Sequence, residues 1–261
     1  FTPDAPTKSI AFLIPGLHGP VFGGRHDYRP LAKELNDRGY ALLLLNMRSA
    51  NTFWYALFED CAKDISAAVR HVKGLGYTDI ALFGTSLGGP RVVYTITHRP
   101  DPAIKVLGIN GSVKSMYLEA QLRKTPEEMA VYDTCLARAR ELVANGQWYV
   151  GVTLLDYFPD RHMTLQARSL LSFFGTLEES NCSTIKFGDR VTVPTLVVHG
   201  EADEVIMPAN GQAIYDSLVA APKRDLIWVP GATHYLQPGW IAETYGRIMA
   251  EWIGENMPVQ R

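Results

Sequence analysis

A serine, an aspartate and a histidine stand in segments whose composition suits nucleophilic chemistry. The segments are Gly-Thr-Ser-Leu-Gly at positions 84–88, Glu-Ala-Asp at 201–203 and Gly-Ala-Thr-His at 231–234. A serine hydroxyl is a poor nucleophile at neutral pH, and it attacks readily only when a base removes its proton. A histidine can be that base, and a carboxylate can hold the imidazole in the required tautomer. Ser86 is therefore a candidate nucleophile, His234 a candidate general base and Asp203 a candidate acid that orients the histidine.

Each of these residues also has an ordinary structural interpretation. Ser86 could cap a helix in a glycine-rich turn, and His234 could be a histidine of a surface loop. Glu201 lies two residues before Asp203, and it could supply the carboxylate or simply be solvated. The alternatives differ in which side chains they bring together in the folded chain.

Apolar and amphipathic segments alternate along the first third of the chain. Four apolar runs predict strands buried on both faces: residues 9–14, 40–45, 79–83 and 104–109. Three segments with helical spacing separate them: residues 28–38, 56–73 and 87–98. Strands joined by helical crossovers predict a mainly parallel sheet with right-handed connections. Ser86 lies at the turn between the third strand and the helix that follows it.

This alternation stops after Asn110 and resumes with a strand at residues 194–199. The residues between are rich in helix formers and aromatics and predict no parallel strand. Within them, Thr125, Pro126 and Glu128 have the pattern of a helix start with a capping box. Further helices are predicted at 211–219 and 240–252, on either side of a strand at 225–229.

One α/β domain with an insertion accounts for this organisation. A chain of 261 residues, 47% of them hydrophobic and 20% charged, can bury one substantial core. We predict an α/β fold whose mainly parallel sheet is doubly wound, with residues 1–112 and 191–261 as the core. Residues 113–190 are predicted to form an inserted helical cap. Most aromatic side chains of the cap, such as Phe173 and Phe174, are expected to pack it onto the core.

The pattern as a whole resembles the α/β-hydrolase family. The resemblance rests on Gly-x-Ser-x-Gly between a buried strand and a helix, and on the order serine, acid, histidine along the chain. Apolar residues and a proline after Asp203 also resemble the acid loop of that family. The resemblance covers nearly the whole predicted core and is least specific in the cap. The assignment of catalytic roles rests on this resemblance, which implies a Ser-His-Asp triad of Ser86, His234 and Asp203 that needs no cofactor.

The resemblance also implies which groups stabilise the oxyanion. They are the backbone N–H of Leu87, at the amino end of a helix, and that of Leu17, in the loop after the first strand. Many members of the family have His-Gly where this chain has Pro15-Gly16. Because Gly16 is retained, this departure bears only on the Leu17 donor. His18 could bind substrate beside this loop, or it could bond to the backbone.

Other polar side chains near predicted strand ends have simpler interpretations. His199 is expected to close its strand structurally. Arg25, His26 and Arg48 could meet a substrate carboxylate, but solvation or ion pairing is the more ordinary fate of such side chains.

Charge and composition argue against several other classes of protein. The formal net charge is −2, which gives no long-range attraction to nucleic acid. The 3 cysteines are widely spaced, and the 7 histidines show no metal-binding spacing. The longest apolar run, residues 40–45, is too short to span a membrane. We expect no metal, cofactor, nucleic-acid partner or membrane span. Cytoplasmic and processed secreted enzymes both fit the sequence, and the oligomeric state stays open.

A carboxylic ester hydrolase is the leading functional hypothesis. Ser86 would form an acyl-enzyme with a small-molecule ester or related acyl substrate, and water would cleave it with His234 as base. Thioesterases, lactonases and C–C bond hydrolases use the same machinery. Two different classes are a ligand receptor that keeps only the fold, and a lyase or cofactor-free oxygenase that uses His234 as base alone. Retention of all three residues argues against the receptor.

Overall fold

The computed structural model of the protein describes residues 1–17, 28–155, 162–234 and 244–260. Its strands are β1 Ser9–Ile14, β2 Ala41–Leu44, β3 Asp79–Thr85, β4 Ile104–Asn110, β5 Gly151–Leu155, β6 His162–Gln166, β7 Thr195–Gly200 and β8 Arg224–Val229. Its helices are α1 Arg29–Asp37, α2 Ser49–Thr52, α3 Asp60–Gly74, α4 Gly88–His98, α5 Met116–Arg123, α6 Pro126–Ala144, α7 Ala167–Phe174, α8 Ala209–Ser217 and α9 Gly246–Asn256. A short 3-10 turn, Gly188–Arg190, precedes β7.

Within the described residues, a sheet of 6 strands has the order β2-β1-β3-β4-β7-β8. All of its neighbouring strands pair in parallel. Its two faces belong to different hydrophobic clusters, because Ile10 and Phe12 of β1 pack with α3 and α4 while Ala11 and Leu13 pack with α1 and α9. Helices therefore cover both faces, which confirms the predicted doubly wound α/β fold.

Most predicted elements of the core agree with the structure to within two residues. The main exception is the helix predicted to begin at residue 56, which begins at Asp60. The Phe58 N–H donates to Ser172 Oγ at 2.8 Å, so this backbone group is used in a long-range contact instead of a helical turn. Of the last predicted helix, residues 240–243 lie outside the described ranges, and α9 begins at Gly246.

Residues between β4 and β7 form helices α5 to α7 and an antiparallel hairpin, β5–β6, that the sequence analysis did not predict. The sequence feature that could have predicted this hairpin was a short alternation of apolar and polar residues in β5. Val152 and Leu154 are buried, whereas the Thr153 hydroxyl is exposed and hydrogen-bonds to that of Thr164 at 2.9 Å. Such a period of two favours a strand with one packed face, but over five residues it is easily mistaken for part of a helix-rich segment.

The predicted capping box is confirmed at the start of α6. The Glu128 N–H donates to Thr125 Oγ1 at 3.2 Å, and the Thr125 N–H donates to Glu128 Oε2 at 2.8 Å. Pro126 occupies the first turn, where no N–H is needed. The local pattern alone therefore determined where this helix begins.

Aromatic rings join α7 to the part of the chain before β3. The Phe173 ring lies 4.6 Å from that of Phe53 and 5.7 Å from that of Phe58, measured between centroids. Phe58, Phe173 and Phe174 are buried, as expected for aromatics that pack rather than line a pocket.

The long segment between β4 and β7 leaves the sheet uninterrupted, since these two strands pair directly from Leu107 with Thr195 to Asn110 with Val198. The carboxyl ends of β3, β4, β7 and β8 are therefore neighbours at one edge of the sheet, the usual place for a ligand in this type of fold. Ser86 directly follows β3, and Asp203 and His234 lie shortly after β7 and β8. Within the described ranges, none of the helices has the length and apolar character needed to cross a bilayer.

Candidate active site

Ser86 occupies a strained turn between β3 and α4. Its φ is +54°, and among the described residues it is the one non-glycine residue with a positive φ. That conformation is unfavourable for an L-residue and persists only where surrounding contacts enforce it. The Ser86 N–H donates to the Asn110 carbonyl at 2.9 Å, and its carbonyl accepts from Ser112 Oγ at 2.7 Å. Both contacts come from the end of β4, so the neighbouring strand holds the turn in place.

The two glycines of the pentapeptide permit close backbone packing around this turn. A Cβ atom on Gly84 would collide with the backbone of Gly88, and one on Gly88 would collide with the Ile14 carbonyl. Larger residues would therefore separate β3, α4 and the end of β1. This is the physical reason for the Gly-x-Ser-x-Gly spacing in this chain.

The structure brings the three predicted residues into one hydrogen-bonded chain. Ser86 Oγ lies 3.2 Å from His234 Nε2, and His234 Nδ1 lies 2.9 Å from Asp203 Oδ2. An ionised carboxylate can only accept, so the proton on the imidazole is assigned to Nδ1. Nε2 of the neutral ring is then the acceptor for the serine hydroxyl, as a general base requires.

Asp203 is held in its ionised form. The side chain is buried, and Oδ1 accepts from the N–H groups of Val205 at 2.9 Å and Ile206 at 2.7 Å. Burial by itself raises the pKa of Asp203. Hydrogen bonds from His199, His234 and the Ile206 N–H outweigh that effect and lower the pKa to about 2. The Asp203 carboxylate therefore stays negatively charged at neutral pH, where the imidazole has to act as a base.

The neighbouring acidic residues take other positions. Glu201 is exposed, and Glu204 Oε2 accepts from the backbone N–H of His234 at 3.2 Å. Asp203 is the residue whose carboxylate reaches the imidazole. This geometry favours Asp203 over Glu201 for the acid role.

The pKa of Asp203 predicts how stability depends on pH. The pKa in the folded protein, about 2, is below the ordinary value of 3.8, so the folded state favours the charged form. We expect ionised Asp203 to add about 2 kcal/mol to the free energy of unfolding above about pH 4. This contribution should vanish as the pH falls to about 2. Urea unfolding of the parent and of Asp203→Asn across this range tests it. The difference in unfolding free energy should narrow at low pH, whereas a constant difference would contradict the assigned pKa. Glu201→Gln is the matched control.

His199 is a contact of the acid that the sequence analysis did not find. Its ring is fully buried at the end of β7, with Nε2 3.4 Å from Asp203 Oδ2 and 3.1 Å from the Ile206 carbonyl. His199 was expected only to close its strand. Its ring also contacts the Asp203 carboxylate, so that expectation was incomplete. Its position four residues before Asp203, across a strand end, was the available signal.

The loops that carry both predicted oxyanion donors lie against Ser86. Leu87 follows Ser86 directly, is buried and occupies the N-cap position of α4. In the loop after β1, a Cβ atom on Gly16 would lie 2.9 Å from Ser86 Cβ and 3.2 Å from Ser86 Oγ. Leu17 is the next residue, so a donor role for its N–H is compatible with this geometry.

Four other residues were considered from the sequence as possible contacts of a substrate. His18, Arg25 and His26 lie outside the described residues. Arg48 Nε donates to Asp64 Oδ1 at 2.7 Å, so an ion pair with α3 is its observed state.

Helix α5 braces the loop that carries Asp203, through a buried carboxylate. Glu119 is fully buried, and its Oε1 accepts from Arg123 Nε at 2.7 Å and from the Met207 N–H at 3.2 Å. Its Oε2 accepts from Asn210 Nδ2 at 2.6 Å. No sequence pattern predicted this cluster.

Arg123 completes the brace from the other side. Its Nη2 donates to the carbonyls of Glu204 at 2.9 Å and Val205 at 2.6 Å. The two residues after Asp203 are therefore held by a helix that lies far away along the chain. We expect the position of the carboxylate to depend on this contact.

Glu119→Gln is expected to lower the free energy of unfolding by about 3 kcal/mol. The amide nitrogen would face the Asn210 amide, which cannot turn because its Nδ2 also donates to the Met207 carbonyl and its Oδ1 accepts from the Lys114 N–H. Urea denaturation measures the change. The matched control is Glu141→Gln, which removes the exposed pair with Arg138 and should cost less than about 0.5 kcal/mol. Equal effects of the two variants would contradict the brace.

A parallel sheet with a strained serine at the carboxyl end of a central strand, reached by a histidine and an aspartate from later strands, defines a class of hydrolases. This chain belongs to the alpha/beta hydrolase family, whose model matches residues 11–244.

Known proteins with similar sequences agree with that membership. The chain is 37% identical to the alpha/beta hydrolase domain-containing protein aho-3 of Caenorhabditis elegans over 76 residues, which are 28% of this chain and 22% of that protein. It therefore spans only a small part of that relative. It is 23% identical over 212 residues to the thermostable monoacylglycerol lipase of Bacillus sp. strain H-257, covering 79% of this chain and 76% of that lipase.

A solved structure shares the fold over the whole chain. The monoacylglycerol lipase of Paleococcus ferrophilus superposes with a TM-score of 0.69 at 19% identity, covering 98% of each chain. At this identity the likeness concerns the fold alone.

Proposed function

We propose that this protein is a serine hydrolase that cleaves carboxylic esters through an acyl-enzyme on Ser86. The observation that carries the proposal is the hydrogen-bonded chain from Ser86 Oγ through His234 to Asp203, with distances of 3.2 and 2.9 Å. The strained backbone of Ser86 supports it further, because structural serines have no need of a positive φ.

In the first half-reaction, Ser86 Oγ attacks the carbonyl carbon of the ester while His234 Nε2 takes its proton. Asp203 stabilises the imidazolium that forms, and its low pKa keeps it ionised throughout. The carbonyl oxygen gains negative charge. We assign the stabilisation of this charge to hydrogen bonds from the N–H groups of Leu87 and Leu17. The C–O bond to the alcohol then breaks, and the alcohol leaves with the proton from His234.

In the second half-reaction, water replaces the alcohol. His234 Nε2 removes a proton from water as the water oxygen attacks the acyl carbon on Ser86. The second tetrahedral intermediate collapses, the bond to Ser86 Oγ breaks, and the serine regains its proton from His234. The products are a carboxylic acid and the free enzyme, so no cofactor enters the balance.

We also propose that residues 113–190 act as a cap on a core of residues 1–112 and 191–261. Direct pairing of β4 with β7 supports this division, because the segment leaves the sheet after β4 and returns to the strand that lies directly beside it. The contacts of Glu119 and Arg123 with the acid loop support a second role for the cap, which is to hold the Asp203 loop in position.

The proposed substrate is a small ester of a short- or medium-chain acid. Two proteins similar to this one, from Bacillus and Paleococcus, are named monoacylglycerol lipases. A monoacylglycerol is therefore the first natural ester to test, alongside simple esters of the same acids.

A panel of p-nitrophenyl esters and matched thioesters, with acyl chains from two to twelve carbons, tests the proposal. We expect labelling by a fluorophosphonate probe and a burst of nitrophenol equal to the enzyme concentration. Faster turnover of the thioesters would redirect the proposal to a thioesterase. Binding without turnover would favour a receptor. Turnover of a substrate without labelling would contradict an acyl-enzyme and indicate base-only chemistry.

A further inference from the structure

Arg91 is a buried cation on α4 whose guanidinium reaches the loop after β1. Only 1% of its surface is exposed. Its Nη1 donates to the carbonyls of Pro15 at 2.8 Å and Gly16 at 3.0 Å, and its Nη2 donates to Ser49 Oγ at 2.9 Å. Both hydrogens of Nη1 are therefore directed to two consecutive peptide groups of one loop.

Nothing in the described part of the chain neutralises this cation directly. None of the ion pairs among the described residues includes Arg91. Asp64 interacts with it electrostatically, but the ion pair of that carboxylate is with Arg48. Two thiols, Cys61 and Cys182, also interact with it, but burial raises the pKa of Cys61 to about 12 and that of Cys182 well above its ordinary value. Both thiols stay protonated at neutral pH. The groups that hydrogen-bond to the buried charge are therefore carbonyl and hydroxyl dipoles, and this arrangement is costly unless their geometry is well ordered.

The bond to Gly16 determines the orientation of the next N–H. The Gly16 carbonyl and the Leu17 N–H belong to the same peptide group, and in a trans peptide these two bonds point in opposite directions. Because the carbonyl points toward Arg91, the Leu17 N–H points away from it. Gly16 also lies against Ser86, so this peptide group is close to the reacting hydroxyl.

The same helix carries the other proposed donor. Leu87 occupies the N-cap position of α4, and Arg91 follows four residues later on the same face. Side chains on a helix tilt toward its amino end, so Arg91 extends back toward Leu87. The helix that presents the Leu87 N–H therefore also carries the side chain that bonds to the Gly16–Leu17 peptide group.

We infer that Arg91 is a positioning residue that holds the Gly16–Leu17 peptide group so that its N–H can receive the oxyanion. This inference rests on the proposed ester hydrolysis and deepens it. The guanidinium also polarises the Gly16 carbonyl, which makes the Leu17 N–H a stronger donor. Arg91 itself touches neither the substrate nor Ser86.

Arg91→Met and Arg91→Lys test the inference, with Thr95→Val as a matched control. Thr95 is also buried on α4, one turn farther from Leu87, and its hydroxyl donates to the Arg91 carbonyl at 2.7 Å. The measurements are kcat and KM for p-nitrophenyl acetate, and the inhibition constants of two ketones. A trifluoromethyl ketone forms a serine adduct that carries an oxyanion, whereas the matched methyl ketone mimics only the ground state.

For Arg91→Met we expect kcat to fall about 100-fold and KM to change by less than about twofold, since one oxyanion donor is lost. Affinity for the trifluoromethyl ketone should fall by about the same factor as kcat, while affinity for the methyl ketone stays within about twofold. The ammonium of Arg91→Lys can donate to one of the two carbonyls. Its kcat and its affinity for the trifluoromethyl ketone should therefore lie between those of the parent and of Arg91→Met. Thr95→Val should leave all four quantities near those of the parent.

Two results would overturn the role of Arg91. One is parent-like kcat and trifluoromethyl ketone affinity in both variants, and the other is an equal loss of affinity for both ketones, which indicates general distortion. If circular dichroism shows that Arg91→Met is unfolded, Arg91→Lys decides by the same criteria because it retains the charge. A parent protein without ester turnover or ketone inhibition would instead contradict the proposed function on which the inference rests.

Discussion

Replacement of Ser86 by alanine is expected to lower kcat for a p-nitrophenyl ester by about a millionfold while substrate binding stays nearly unchanged. The hydroxyl forms the covalent bond in the proposed mechanism, and alanine has no atom that could replace the Oγ that lies 3.2 Å from His234 Nε2. Removing the Oγ atom also relieves no strain, because alanine must adopt the same positive φ. The loss should therefore concern chemistry and not folding.

Single-turnover kinetics and fluorophosphonate labelling measure this effect. Labelling should disappear in Ser86→Ala, and circular dichroism should be unchanged. Ser66→Ala, on α3 and beside Ile104 at the amino end of β4, is the matched serine control and should keep parent kinetics. Residual turnover within about tenfold of the parent would contradict a serine nucleophile and favour direct use of His234 as a base.

Asp203→Asn has the second largest expected effect, a fall in kcat of about ten thousandfold with little change in KM. The carboxylate accepts the Nδ1 proton of His234 at 2.9 Å and thereby leaves Nε2 free to accept from Ser86. An asparagine amide can instead donate to Nδ1, which places the proton on Nε2. The imidazole then faces the serine hydroxyl with a donor and cannot act as its base.

Glu201→Gln is the matched control for this prediction. Glu201 lies on the same loop two residues earlier and is exposed, so its variant should keep kcat within about twofold of the parent. Measuring kcat and KM of both variants with one ester decides between the two carboxylates. A larger loss for Glu201→Gln than for Asp203→Asn would transfer the acid role to Glu201.

Local sequence patterns were sufficient for the elements whose formation depends on near neighbours. The apolar run of β1 was assigned from Ser9 to Ile14 as the structure has it, and α6 begins at Pro126 because its capping box involves only residues three apart. The turn at Ser86 was predictable for a similar reason. Gly84 prevents a collision with Gly88 across the same turn, and this local part of the spacing is visible in the sequence, although Gly88 itself makes room for the Ile14 carbonyl of β1.

Contacts between distant segments had to be read from the tertiary structure. The sequence favoured Asp203 but left Glu201 as an alternative, and the fold shows that the Asp203 carboxylate meets His234. The same holds for His199 behind that carboxylate and for Glu119, whose partners at 207 and 210 lie far along the chain. In each case, burial and hydrogen-bond partners come from elements that a linear pattern does not relate.

The sequence by itself determined the α/β class of the fold and the sheet edge on which the proposed catalytic residues lie. Strand ends, turns and caps depend on interactions over a few residues, and those leave periodic signatures. What only the tertiary structure decided is which buried polar groups contact the loops that carry those residues. The bonds from Arg91 to Pro15 and Gly16 join residues about 75 positions apart. A buried charge finds such partners through the packing of whole elements, which local propensity does not encode.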